Sequence, residues 1–442
     1  MAATVDTAHW NARFADLIAE YKVPGASLAF LHDGEVHTFA AGVLNNATGT
    51  AVTTDSLFQI GSVTKVWTAT QLMLLIEQGR FTLDTAVVDL LPEFKVADAG
   101  VTKTVTIRHL LTHTSGIDGD LFLDTGRGDD CLEKYVEGCA DLARNHPIGE
   151  SFSYCNTGFV IAGRIIERLT GKTWDAALRE QICEPLGLTH TWTLPEDVLR
   201  FNAATGHLEG GEPTPTWGLP RSMGPAGLIC ARASDVVAFG RAHLGTDLLA
   251  EPGVMTEPQV RLPNPHTLAP EWGLGWIVDE WSGHRVILHA GNTIGQSAML
   301  WVLPDTGTVV CLLANGGNTA ALQRALGGEL FAALVNVEMP PRLGPPETPV
   351  EVDLDRYVGV YKREGNRTTV SVRDGRLHLY IECTDSLADL TPPVDLALVP
   401  VDATTFVGRR KDSPLWDSVV FYELADGSLY MHFGVRATPR TG

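Results

Sequence analysis

The chain has 442 residues, 44% of them hydrophobic and 19% charged, with a formal net charge of −20 at pH 7. This is the composition of a folded globular protein with room for one large domain and a smaller one, and it excludes a disordered chain. The acidic balance, with no basic run to offset it, argues against nucleic-acid or anionic-membrane partners.

Residues 1–10 carry neither the basic segment nor the apolar core of a secretory signal, and no apolar stretch approaches the length of a membrane span. A cytoplasmic protein is expected. Residues 8–22 read as a helix with Trp10, Phe14, Leu17, Ile18 and Tyr21 on one face. Residues 26–32 and 35–41 form a hairpin around Asp33-Gly34, a strong turn signal.

The next stretch, Gln59-Ile60-Gly61-Ser62-Val63-Thr64-Lys65-Val66-Trp67, contains S-x-x-K. Val66, Ala69, Leu72, Met73, Leu75 and Ile76 recur at three- and four-residue spacing, and Gly79 stands where a C-terminal cap belongs. A helix starting at Ser62 is therefore predicted, and on it Ser62 and Lys65 share a face. A serine hydroxyl needs an adjacent base to act as a nucleophile at neutral pH. An amine shielded from water gives up its proton more readily and can be that base. The free N–H groups at a helix start also favour developing negative charge. Alone, the tetrapeptide is weak, and a capping serine is the plain alternative.

His109 and His113 are spaced like zinc ligands on a helix, but Leu110 stands where that motif needs glutamate, so a structural role is expected. Phe152-Ser153-Tyr154-Cys155-Asn156-Thr157-Gly158 contains Y-x-N before a second amphipathic helix through Phe159, Val160, Ala162, Ile165, Ile166 and Leu169, with Gly171 as its cap. In a loop Tyr154 and Asn156 point to one side, where a phenol can shuttle a proton and an amide can orient a substrate carbonyl or the lysine. Cys155 between them reads as a small apolar filler. The seven cysteines contain no C-x-x-C pair and suggest thiols rather than a disulfide framework. Gly171-Lys172-Thr173 fails as a phosphate loop, because Ile166 replaces the upstream glycine.

Val286-Ile287-Leu288-His289-Ala290-Gly291-Asn292 places H-x-G at the end of a buried strand, where glycine would admit close backbone approach to a ligand. Residues 290–295 carry no dinucleotide fingerprint, and neither cofactor nor metal is expected. Strand-like runs at 286–289, 297–303 and 308–314 precede a closing helix at 319–335. Strands from both ends with helices between give an α/β (α+β) fold, a mixed antiparallel sheet with a helical insertion and a groove between them. Residues 339–349 hold five prolines and read as a semi-rigid linker. Beyond it, alternating runs at 357–362, 368–373, 376–381, 419–423 and 429–433, with turns at Asp374-Gly375 and Asp426-Gly427, indicate a small antiparallel barrel of roughly eight strands. The expected domains are 1–338 and 351–442, joined by 339–350.

Taken in order, Ser62/Lys65, Tyr154/Asn156 and His289/Gly291 make the chain resemble the class C β-lactamase and penicillin-binding-protein-like serine hydrolase superfamily over roughly residues 8–335. The stretches 108–117 and Gly224-Pro225-Ala226-Gly227-Leu228-Ile229-Cys230 look like further landmarks. The resemblance implies a β-lactamase/transpeptidase-like fold and an acyl intermediate on Ser62, with Lys65, Tyr154 and His289 in the catalytic set. It also implies an oxyanion hole from the backbone N–H groups of Ser62 and Asn292, with Asn156 and Gly291 on the substrate side.

Many relatives carry K-T-G at the third motif, whereas this chain has His289-Ala290-Gly291. A mostly neutral histidine removes the fixed charge that would hold a substrate carboxylate. In this the chain resembles D-aminopeptidases, esterases and penicillin-binding-protein-type thioesterases. Its last segment resembles the lipocalin-like barrel appended to some of them, either a stability module or a substrate gate. The implied function is a serine hydrolase or acyltransferase opening an ester or amide of a small-molecule or peptide substrate, including D-amino-acid peptides and carrier-protein-bound thioesters. Three alternatives stay open: a transacylase or thioesterase/peptide cyclase of natural-product biosynthesis, a β-lactamase, and an acyl-binding sensor without turnover.

Overall fold

The computed structural model describes residues 5–384, 392–410, 413 and 415–441; residues 1–4, part of the N-terminal stretch read above for a signal, lie outside it. The first helix, Thr7–Glu20, starts where the Asp6 side chain accepts from the His9 N–H, and it buries Trp10, Phe14, Leu17 and Ile18.

The main sheet has nine strands. Their spatial order is Thr50–Ala51, Glu35–Asn45, Gly25–His32, Thr308–Ala314, Ser297–Leu303, His284–Asn292, Ile277–Trp281, Glu271–Trp272 and Val260–Arg261. Every pairing in it is antiparallel. Gly25–His32 lies beside Thr308–Ala314, so the two ends of this region meet at the sheet centre, and both strands are buried throughout.

Alternate side chains feed different cores, as the period of two requires. Leu28 and Phe30 pack with the first helix and with Leu322, Leu326 and Phe331 of the helix Thr319–Val335. Ala29 and Leu31 face the opposite core, shared with the helices inserted between the strands. In that core the helix Thr64–Glu77 buries eleven of its fourteen residues, and Trp67 stacks on Phe239 with ring centroids 3.8 Å apart. The sequence pattern suggested one apolar face; the helix is instead enclosed nearly all round, the setting in which a lysine loses water. Each fully buried large apolar side chain contributes about 2 kcal/mol.

The C-terminal region is an eight-stranded antiparallel up-and-down barrel, nearly closed by a bridge between Tyr361 and Arg440. Tyr357, Tyr361, Leu379, Phe406 and Phe421 are among the residues filling it. The run expected to start a strand at Tyr357 begins instead with a 3₁₀ turn, Leu354–Tyr357, before the strand Gly359–Arg363. Strands Val394–Pro400, Thr405–Gly408 and Arg436–Pro439 match no sequence run named above. The barrel meets the larger unit through specific polar contacts. Ser151 and Tyr422 hydroxyls lie 2.6 Å apart, and Asn145 Nδ2 donates to the Ala437 carbonyl at 2.7 Å.

Candidate active site

Ser62 sits in a 3₁₀ turn, Gly61–Val63, that leads directly into the helix Thr64–Glu77. The turn presses against the end of the strand His284–Asn292. A methyl carbon added at Gly61 would lie 2.7 Å from the Asn292 nitrogen, and one at Gly291 only 1.9 Å from the Ile60 carbonyl oxygen. Gly291 therefore admits the close approach of the nucleophile's own turn, a packing reason for glycine that the sequence reading did not name. Gly61 has a φ of +51°, which a side chain would resist. Gly291→Ala should force strand and turn apart. We expect a loss of activity of order 10²-fold and a lower Tm, read by steady-state kinetics and calorimetry.

Lys65 reaches back one turn. Its Nζ lies 3.1 Å from Ser62 Oγ and donates to the Ala226 carbonyl at 2.7 Å. The side chain is fully buried, and burial, reinforced by the positive charge of Arg436, pushes its pKa well below the usual lysine value. Asp120 and Cys155 oppose that shift only in part. Ala226 belongs to the Gly224–Gly227 turn, whose Pro225 carbonyl also accepts from Thr68 Oγ1 at 2.8 Å. The segment 224–230 thus contributes a carbonyl that steers the lysine.

Tyr154 brings its ring to 4.9 Å from Lys65 Nζ. Its hydroxyl faces Ser62 closely enough for the serine to lower its pKa, although no well-aligned hydrogen bond joins them. Burial dominates and raises the phenol above its ordinary value, so it is protonated at neutral pH. The loop is held from two sides. Ser153 N–H donates to the His113 carbonyl and Cys155 N–H to His113 Nδ1, both at 2.9 Å, while Tyr154 N–H donates to the Val435 carbonyl of the barrel at 2.9 Å. His113 also stacks on the Tyr154 ring at 4.2 Å. Acceptance at Nδ1 requires a neutral ring, and burial holds the His113 pKa well below the usual value. His109 caps its own short helix through Thr106, so the two histidines serve separate local ends rather than a shared ion.

Asn156 opens the helix Asn156–Thr170, and its Nδ2 donates to Asp120 Oδ1 at 2.9 Å. Cys155 caps that helix, its sulfur accepting from the Gly158 N–H at 3.3 Å, and burial pushes its thiol up to about 12. A thiol so hard to ionise is a packing and capping group. His289 Nδ1 lies 2.7 Å from the Ala290 carbonyl and so carries the proton, leaving Nε2 as a buried acceptor with no partner. Burial and the proximity of Lys65 lower its pKa to about 3.

Ser62, Tyr154, Asn156, His289 and Asn292 line one cavity of about 260 Å³. Lys65 adjoins it through its bonds to Ser62 and to the lining residue Ala226, and Gly291 packs against the Ser62 turn. Val435 and Arg436 complete the lining, so the groove lies between sheet, helical insertion and barrel rather than between the first two alone. A larger cavity, about 790 Å³, lies on the other side of Asn292 and is lined by none of Ser62, Lys65 and Tyr154; Ser62 and Tyr154 line the smaller one. A third, about 410 Å³ and walled by Leu194, Pro195, Trp217 and Leu228, shares Leu219 with the Ser62 cavity. Asp120, Arg363 and Arg436 are neighbours of this cluster that the sequence motifs did not reveal, while His113, expected to be structural, supports the Tyr154 loop. Among the described residues no cluster of metal-ligating side chains occurs, and no helix is long and apolar enough to cross a membrane.

Comparison with known proteins agrees with this geometry. A family model described as Beta-lactamase matches residues 10–333. Penicillin-binding protein 4 of Amycolatopsis lactamdurans is 48% identical, the match covering 81% of this chain and 98% of that protein. The crystal structure of SurE with D-Leu superposes with a TM-score of 0.78 at 27% identity, covering 98% of this chain and 99% of that one. The D-amino acid amidase of Ochrobactrum anthropi SV3 complexed with D-phenylalanine gives a TM-score of 0.61 at 24% identity, over 71% of this chain and 92% of that one.

Proposed function

The chain belongs to the Beta-lactamase family, a family of serine hydrolases, and from that premise we propose that it opens an ester or amide of a D-amino-acid-containing substrate through an acyl-Ser62 intermediate. The observation that carries this reading is the 3.1 Å contact between Ser62 Oγ and the buried, readily deprotonated Lys65 amine. Neutral Lys65 takes the Ser62 proton as Oγ attacks the carbonyl carbon. The oxyanion rests on the N–H groups of Ser62 and Asn292. As the intermediate collapses, Tyr154 hands its proton to the leaving group and regains one from Lys65. Water, or an amine, then repeats the sequence on the acyl-enzyme and frees Ser62.

The preference for D-configured substrates rests on likeness to a D-amino acid amidase and to a protein crystallised with D-Leu. The apolar cavity beyond Leu219 suits a hydrophobic side chain of the acyl donor. Transfer to an amine stands beside hydrolysis because the Ser62 cavity adjoins one neighbouring cavity at Asn292 and another at Leu219, giving room for both donor and acceptor. Neutral His289 offers an acceptor nitrogen, not a cation, so a β-lactam carboxylate lacks its usual partner there.

A fluorophosphonate should add one label, on the peptide containing Ser62; a label on Ser115 or Ser153 overturns the assignment. Activated D-aminoacyl esters or thioesters should turn over faster than their L counterparts and faster than any cephalosporin. Efficient cephalosporin hydrolysis exceeding every ester tested would reverse the substrate ranking. Time-resolved intact mass separates enzyme from sensor, because a sensor's acyl adduct persists.

A further inference from the structure

The Asp120 carboxylate lies beside the catalytic loop and is saturated. Its Oδ1 accepts from Asn156 Nδ2 at 2.9 Å and from Arg436 Nη2 at 3.0 Å. Its Oδ2 accepts from Arg436 Nε at 2.7 Å and Arg363 Nη1 at 2.6 Å. Both arginines come from the barrel, at the edge strands Gly359–Arg363 and Arg436–Pro439. The Arg436 guanidinium also lies 5.1 Å from the Tyr154 ring centroid, and Lys65 Nζ lies 4.9 Å from it.

The hairpin that delivers Arg436 is strained. Its two-residue turn is Gly434-Val435, and Val435 has a φ of +63°, where a β-branched residue is unfavourable. Such a conformation persists where surrounding contacts over-determine it. Here the Val435 carbonyl accepts from the Tyr154 N–H. Buried ion pairs are weak contributors to net stability, because desolvation offsets their attraction. This one joins a barrel to both residues of the Y-x-N motif.

We propose that Asp120 and Arg436 are positioning residues of the catalytic site: through them the last hairpin of the barrel fixes Asn156 and Tyr154 and sets the charge around the Lys65–Ser62 pair. The barrel is thereby a working wall of the active site rather than a detachable stability module. Arg436 disfavours a proton on Lys65, and Asp120 favours one. The other titratable groups facing the pair are His113 and His289, held neutral by burial, and Tyr154 and Cys155, held protonated by it. Farther out, Arg363 shares Asp120, and burial raises the Asp118 carboxyl to about 6.

The inference rests on the acyl-Ser62 reading, and the two fail separately. If the wild type is not acylated on Ser62, that reading falls; if it is, the variants decide this one. The test is the pH dependence of kcat/KM for an activated ester in full-length Arg436→Gln, Arg436→Lys and Asp120→Asn, with Tm measured for each. Arg436→Gln should lower kcat at least tenfold and move the acid limb to higher pH, because a cation that disfavoured Lys65 protonation is gone. Asp120→Asn should move it to lower pH. Arg436→Lys should return the limb to the wild-type position. Limbs that stay put, or move together, in folded variants overturn the proposal. So does a rise in KM confined to substrates with a free carboxylate at unchanged kcat, which would make Arg436 a substrate receptor. Should Arg436→Gln fail to fold, Asp120→Asn and Arg436→Lys decide alone, and an unshifted Asp120→Asn limb overturns it.

Discussion

Ser62→Ala should lower kcat by about 10⁴- to 10⁶-fold, the scale of losing a nucleophile from a catalytic unit, with little change in Tm. The hydroxyl is half-buried, and the contact it makes with Lys65 Nζ is the one that would be lost. After the substitution, Lys65 still donates to the Ala226 carbonyl at 2.7 Å. One lost hydrogen bond from a readily deprotonated amine costs about 1 kcal/mol, which folding tolerates. Circular dichroism and calorimetry report the fold, and single-turnover kinetics report the chemistry. Intact mass should show no acyl adduct on the variant. Residual turnover above about one part in a hundred, in a preparation free of wild-type enzyme, would transfer the nucleophile's role elsewhere.

Local motifs carried much of the site. Ser62 and Lys65 are three apart on one element, Tyr154 and Asn156 two apart, and His289 and Gly291 end one strand, so their mutual geometry follows from local backbone periodicity. Strands Ser297–Leu303 and Thr308–Ala314 and the helix Thr319–Val335 match their expected bounds, since apolar runs with clear turn residues leave little ambiguity. What the sequence could not disclose is long-range. Asp120 meets Arg436 across 316 positions, and no local pattern marks an arginine as the partner of a particular carboxylate. His113 was legible as structural, but not as the stacking support of Tyr154, because its left-handed φ of +57° turns the ring in a direction that spacing does not encode. The strand Arg436–Pro439 escaped notice for a related reason: it is four residues long and contains both a proline and an arginine, and its pairing comes from the neighbouring strand.

Lys65→Ala and Tyr154→Phe should each lower kcat by about 10²-fold or more, the scale of a lost general acid or base. The double variant should be scarcely worse than the poorer single one. The reason is geometric. Lys65 Nζ contacts Ser62 Oγ and lies 4.9 Å from the Tyr154 ring centroid, and the phenol faces the same serine. A proton taken by one must reach the leaving group through the other, so breaking either link stops the relay and the second loss finds little left to remove. Stability should separate the two singles. Tyr154→Phe removes a buried hydroxyl without an aligned partner, so its Tm should hold or rise. Lys65→Ala leaves the Ala226 carbonyl unpaired beside a cavity, so its Tm should fall. In the wild type, kcat/KM should decline as pH falls and Lys65 gains its proton. His289, with a pKa of about 3, stays neutral through that range and cannot account for the decline. The acid limb should persist in Tyr154→Phe and disappear from the residual activity of Lys65→Ala. Multiplicative losses in the double variant, or an acid limb that survives without Lys65, would show two independent groups where the geometry places one relay.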